Sequence, residues 1–156
     1  GDGMESGQQK RGRNAILPGV FVTVCFGILV LQVVSCSSTA MRRANEDSFN
    51  LVVENFHNAV RWGDYQTAAT FVGPTMQEDF WRISDALQKR VSIMECQVKR
   101  SSFDSIGKTG EIVLFVRYYA KDKPEVITSM IHERWKFFEK EKMWYLVSHD
   151  LNALEN

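Results

Sequence analysis

The residue with the clearest chemical use in this sequence is Glu133, a carboxylate set among apolar neighbours. From Glu125 to Glu139, the set Ile127, Ser129, Ile131, Glu133, Trp135 and Phe137 alternates with Thr128, Met130, His132, Arg134 and Lys136. A period of two puts the sets on opposite faces of a strand, and the first, more apolar set is the interior one. Burial disfavours a carboxylate's charged form, which suits Glu133 to act as a general base. An ion pair with Arg117 on the neighbouring strand, or exposure at the sheet end, would instead give it a structural role.

His57 follows Val53 by four positions and borders the apolar face of a helix. It therefore faces either a pocket or a satisfying partner in the core. His132, His149 and Asp150 suggest an acid–base pair, but adjacent residues on one strand point to opposite faces, so His149 and Asp150 form no dyad. The cysteines at 25, 36 and 96 lack C-x-x-C or Cys/His metal spacing, and Cys96 reads as a half-buried strand thiol. Gly-rich phosphate loops, nucleophile elbows and zinc-type histidine spacings are missing from the sequence. The expectation is no metal, no cofactor, and binding in preference to catalysis. Trp62, Trp81, Trp135 and Trp144 are core fillers first. Trp135 and Trp144, with His57, Arg117 and Glu133, are the side chains to line any cavity.

The chain carries 19 basic and 19 acidic residues. Setting aside Lys10, Arg11, Arg13, Asp2 and Glu5 leaves 16 basic and 17 acidic residues over 37–156. Such balance argues against a nucleic-acid partner, which needs clustered positive charge. The three basic residues removed precede Ala15–Val34, 20 residues without a charge, and the run closes Val33-Val34-Ser35-Cys36. A basic flank before an apolar run keeps the amino terminus in the cytoplasm. This ending resembles the lipobox of bacterial lipoproteins, with a branched aliphatic, a small residue and the cysteine that receives lipid. The resemblance implies cleavage before Cys36 and acyl chains as the membrane partner. Left uncleaved, 20 apolar residues reach about 30 Å and span a bilayer. Residues 1–36 are thus a signal or anchor segment, 37–44 a polar tether, and 45–156 a domain.

Within 45–156, Phe49, Val52, Val53, Phe56, Ala59 and Val60 mark one helical face, with Asn45 as N-cap and Gly63 as stop. Asp64 caps a second helix to Val72, which Gly73-Pro74 ends, and Thr75 with Glu78 has capping-box spacing for a third carrying Phe80, Trp81, Ile83 and Leu87. Strands follow over Val91–Phe103, Glu111–Ala120, Glu125–Glu139 and Met143–His149, separated by turn-rich segments. Helices first and an antiparallel meander afterwards predict an α+β fold, the helices packed on a curved sheet of about four strands.

This order resembles the nuclear transport factor 2-like superfamily, or cystatin-like cone fold, which includes SnoaL-type proteins and ketosteroid isomerases. The resemblance rests on the helix through Trp62 with Gly63-Asp64-Tyr65, and on Arg134–Val147, two last strands joined by a charged turn before a Trp. It lacks the short strand that some members have between helices. The resemblance implies a cone whose mouth holds a small molecule, and a carboxylate base polarised by a tyrosine: Tyr118, Tyr119 or Tyr145, with Tyr119 placed in the pocket. It also implies dimerisation through the open sheet face, where Met130 and Phe138 would lie, and the fold occurs in inner-membrane subunits of type IV secretion systems. The expected function is a membrane-anchored envelope protein with a binding or assembly domain. An isomerase-like enzyme using Glu133, or an uncleaved single-pass subunit of an envelope complex, are the alternatives.

Overall fold

A computed structural model of the chain describes residues 18–104 and 106–155, with side chains from Ser38 onward. The chain divides into two units, Gly1–Thr39 and Ala40–Asn156, and all four strands belong to the second. Helix α1 spans Pro18–Trp62, α2 Tyr65–Ala69 and α3 Gln77–Arg90, with a 3-10 turn at Pro74–Met76. Strands β1 (Val91–Phe103), β2 (Thr109–Ala120), β3 (Val126–Phe138) and β4 (Met143–His149) form one antiparallel sheet in the order β1-β2-β3-β4, followed by a 3-10 turn at Leu151–Glu155. The architecture is α+β, helices against a curved four-stranded meander.

Two local expectations are corrected. Residues 37–44 lie within helix α1 and do not precede it, and Asn45 is no N-cap. Ala40, Met41, Arg42, Arg43 and Ala44 all favour helix, and Arg42 Nε reaches Glu46 Oε1 at 2.9 Å one turn on. The Asn45 amide instead donates to the Gly107 carbonyl at 3.4 Å. The Thr75–Glu78 capping box does not form, because Pro74 opens a 3-10 turn and α3 begins only at Gln77 without a side-chain cap. Gln77 Nε2 donates to the carbonyls of Ala69 and Val72, both at 2.8 Å, and so satisfies the end of α2.

Other expectations stand. Gly63, at φ +71°, ends the turn after α1, where a side chain would be strained. Asp64 Oδ1 accepts from Thr67 N at 3.1 Å and caps α2. Those hydrogen bonds hold its carboxyl below the ordinary value. Between the helices Val72 makes a single parallel bridge to Leu146, with Gly73 N donating to Leu146 O at 2.8 Å and Leu146 N to Phe71 O at 2.8 Å.

The core lies between the helices and one sheet face. Phe49, Val53, Phe56 and Val60 of α1 are buried, as are Ile112, Leu114, Val116 and Tyr118 of β2, Ile131 and Trp135 of β3, and Trp144 and Leu146 of β4. Its centre is aromatic: Phe49 meets Phe103 and Trp144 edge-on, each at 4.8 Å between centroids, and Phe56 meets Trp135 at 5.3 Å. Gly110 lets this cluster close, since a Cβ there would stand 2.7 Å from Phe49 Cζ.

Candidate functional site

The alternation along β3 is as the sequence predicts, so Glu133 points inward beside Trp135. Its carboxylate is fully buried, and both oxygens lie 3.0 Å from His57 Nε2. Trp135 Nε1 donates to Oε2 at 3.0 Å. A carboxylate only accepts, so Nε2 donates to it, and Nδ1 is the ring nitrogen left for another partner. Nδ1 makes no hydrogen bond among the described residues. Helix α1 brings His57 to Glu133 because Val53, Phe56, His57 and Val60 share its buried face.

His57 also lines a cleft of about 360 Å³ between α1 and the sheet. Asn50, Glu54, Asn58 and Arg61 form its α1 side, Cys96, Val98 and Ser101 its β1 side, and Val53 and Ile112 add apolar surface. The Cys96 thiol is pushed up to about 12, first by burial and then by the Glu133 charge. It is therefore a neutral, weakly polar wall at ordinary pH.

Two expected pocket residues lie elsewhere. Arg117 and Tyr119 point away from the core, since Val116 and Tyr118 take the inward positions of β2 and period two sends their neighbours out. Arg117 Nη1 pairs with Glu95 Oε2 at 3.2 Å on the outer face, so it is no partner of Glu133. Tyr118 is buried, but its hydroxyl meets Ser129 Oγ at 3.2 Å. In the register Tyr118 stands opposite Ile127 and Ile112 opposite Glu133, six β3 residues apart and so about 20 Å along the strand. Tyr145 stands opposite Lys136, its hydroxyl on Met143 Sδ at 3.9 Å. The polarising tyrosine is absent from the Glu133 site, and Trp135 and His57 supply the donors.

Of the four tryptophans, Trp135 and Trp144 are core, while Trp81 is partly exposed and Trp62 is 78% exposed beneath Arg61. Met130 is exposed on the outer sheet face, and Phe138 is half-buried against Tyr145. His132 and Asp150 do meet, Asp150 Oδ1 accepting from the His132 backbone N–H at 2.7 Å, yet with both side chains open to solvent. His149, opposite Glu133 in the register, accepts from Leu151 N at Nδ1 and keeps a buried Nε2 without a partner among the described residues. Burial lowers its pKa, against the pull of Asp79, Glu133 and Asp150.

Sequence reasoning singled out His57 and Glu133 separately and missed their pairing, which spans 76 positions. The Trp135 contact was within its reach, since residues two apart on a strand share a face. The buried Nε2 of His149, unpartnered among the described residues, had no signal in its local pattern. The side chains of Cys36 and of residues 15–34 lie outside what the structure describes. Among those described, no helix is long and apolar enough to cross a membrane.

No protein-family model and no curated protein sequence matches the chain. A solved structure, that of a conserved protein from Planctomyces limnophilus DSM 3776, is similar with a TM-score of 0.53 and 14% identity, over 69% of this chain and 94% of that one. At that identity the likeness speaks to the fold alone.

Proposed function

We propose that this chain is a membrane-anchored protein of a bacterial cell envelope, whose α+β domain is a non-enzymatic binding or assembly module. For the domain, the carrying observation is the state of Glu133. Its carboxylate is sealed from solvent and already accepts from His57 and Trp135, which supports a structural use over contact with a substrate. The order of helices and meander supports the finer assignment to a cystatin-like cone, here with Phe49, Phe56, Trp135 and Trp144 filling the space beneath the sheet. The anchor rests on the sequence from Lys10 to Cys36, with lipid on Cys36 or an uncleaved 15–34 helix as the membrane partner. Possible protein partners are a second copy or another envelope protein, and the charge balance disfavours nucleic acid.

The intact mass of protein purified from its native membranes, compared with a Cys36→Ala variant, tests the anchor. A chain starting at Cys36 with acyl mass, lost in the variant, supports the lipoprotein. An unmodified chain retaining residues 10–36 overturns lipidation and moves the reading to a single-pass subunit of an envelope complex.

One observation favours an isomerase-like enzyme instead: His57 connects the cleft to Glu133, so a proton taken from a ligand at Nδ1 would be matched by the carboxylate behind the ring. That reading requires the protein to catalyse solvent deuterium exchange into a carbonyl compound, and Glu133→Gln to abolish it. An absence of exchange across a panel of small ketones would remove it.

A further inference from the structure

We propose that the cleft between α1 and β1 binds a short free peptide of two or three residues, laid along the free edge of β1 with its charged ends on Glu54 and Arg61. This rests on reading the domain as a binding module and names what the module holds.

Charge is the first support. Asn50, Glu54, Asn58 and Arg61 follow one another at intervals of three or four along α1 and all line the cleft. Neither Glu54 nor Arg61 is in an ion pair among the described residues, although both are charged side chains of one cleft. Seven helical residues separate them, about 10 Å along the axis. An extended chain covers roughly 3.3–3.6 Å per residue, so the ammonium and carboxylate of a tripeptide match that spacing, and the flexible Glu and Arg side chains adapt to a dipeptide.

The second support is backbone. β1 is an edge strand, and its outer side has no strand partner among the described residues. Register shifts fall between Ile93 and Glu95 and between Val98 and Arg100, leaving Glu95–Val98 in regular register with β2. Those four residues carry Cys96 and Val98, which line the cleft. An extended peptide adds to such an edge through main-chain hydrogen bonds, and the bulges on either side limit how long a peptide can pair.

His57 is the third. Its Nε2 is taken by Glu133, so Nδ1 is the ring nitrogen left to hydrogen-bond a peptide group between the two charges. The cleft volume of about 360 Å³ is near the lower end of ligand sites, roughly 300–1,000 Å³. It suits two or three small residues and excludes a long segment.

The test is a titration of the full chain, isotope-labelled and purified in detergent, with trialanine and with N-acetyl-trialanine amide, whose ends carry no charge. Trialanine is expected to shift the His57 ring and the Glu95–Val98 amides saturably, and the blocked peptide to bind at least about tenfold more weakly. Arg61→Gln, at an exposed position, should weaken trialanine about three- to fivefold, the worth of one exposed ion pair, and leave trialanine amide unchanged. Absence of a saturable shift up to about 10 mM trialanine, beyond the millimolar end of the affinity scale, or equal binding of the blocked peptide, would overturn the site. Trialanine recovered intact after binding supports both site and module. Bound but hydrolysed, it supports the site and overturns the non-enzymatic reading.

Discussion

Both carboxylate oxygens of Glu133 lie 3.0 Å from His57 Nε2, which ties β3 to α1 across the core. Removing either partner leaves the other buried and short of a hydrogen bond. Glu133→Met is expected to cost about 1–3 kcal/mol, through the His57 imidazole and Trp135 indole donors that it leaves unsatisfied. His57→Leu should cost more, about 3–5 kcal/mol, because it strands a carboxylate. The double variant His57→Leu/Glu133→Met should recover part of the loss, since carboxylate and imidazole go together and only the Trp135 indole is left without its acceptor. Urea midpoints of the four proteins give the coupling, and simple additivity would show that the pair is not an energetic unit.

Gly110 sits where any side chain meets Phe49, with contacts of 2.7 and 2.8 Å to ring atoms Cζ and Cε2. Gly110→Ala should therefore destabilise by about 1–3 kcal/mol through overpacking. Phe49→Leu in the same chain should partly relieve it. Thermal unfolding reads both, and an unchanged midpoint in Gly110→Ala would mean that Phe49 can turn aside freely.

His149 makes stability depend on pH. Burial lowers its folded-state pKa below the ordinary 6.5, so the unfolded chain binds the proton more readily. Its contribution is complete above about pH 6.5 and declines as pH falls toward the folded-state value. His149→Asn should show a flatter loss between about pH 7 and 5 than the parent chain in urea unfolding. Parallel losses in both would exclude His149 as the cause. Asp104 acts lower on the scale: against the opposing effect of burial, hydrogen bonds from Lys108, Thr109 and Gly107 hold its carboxyl down. Its stabilisation is present above the unfolded carboxylate value and is lost as pH falls through the folded one.

Cys96 should resist alkylation in the folded protein, because its thiol is pushed up to about 12 and the thiolate is the reactive form. Iodoacetamide at about pH 8, followed by peptide mapping that separates Cys96 from Cys25 and Cys36, is expected to find it unmodified until denaturant is added. Rapid labelling of Cys96 in the native state would contradict that environment.

Element types were legible because period speaks locally. Alternation from Ile127 to Phe137 and the helical spacing from Phe49 to Val60 each name their inward residues without a third dimension. Boundaries were less legible: a run such as Ala40–Ala44 continues a helix wherever its neighbours permit, and the 3-10 turn opened by Pro74 put the N-cap of α3 at Met76 in place of Thr75.

The sequence by itself determined the α+β class, the meander, the inward set of β3 with Glu133 in it, and the charge-free run before Cys36. Those properties depend on composition and on spacing within one element. Only the tertiary structure decided that His57, and neither Arg117 nor Tyr118, meets Glu133, and that Glu54 and Arg61 line one cleft with Cys96, Val98 and Ser101 of β1. Partners from distant elements depend on strand register and on how α1 lies across the sheet. A slip of one residue in β2 would turn Arg117 inward and Tyr118 outward, and the burial of the whole core, which no single segment contains, is what fixes it.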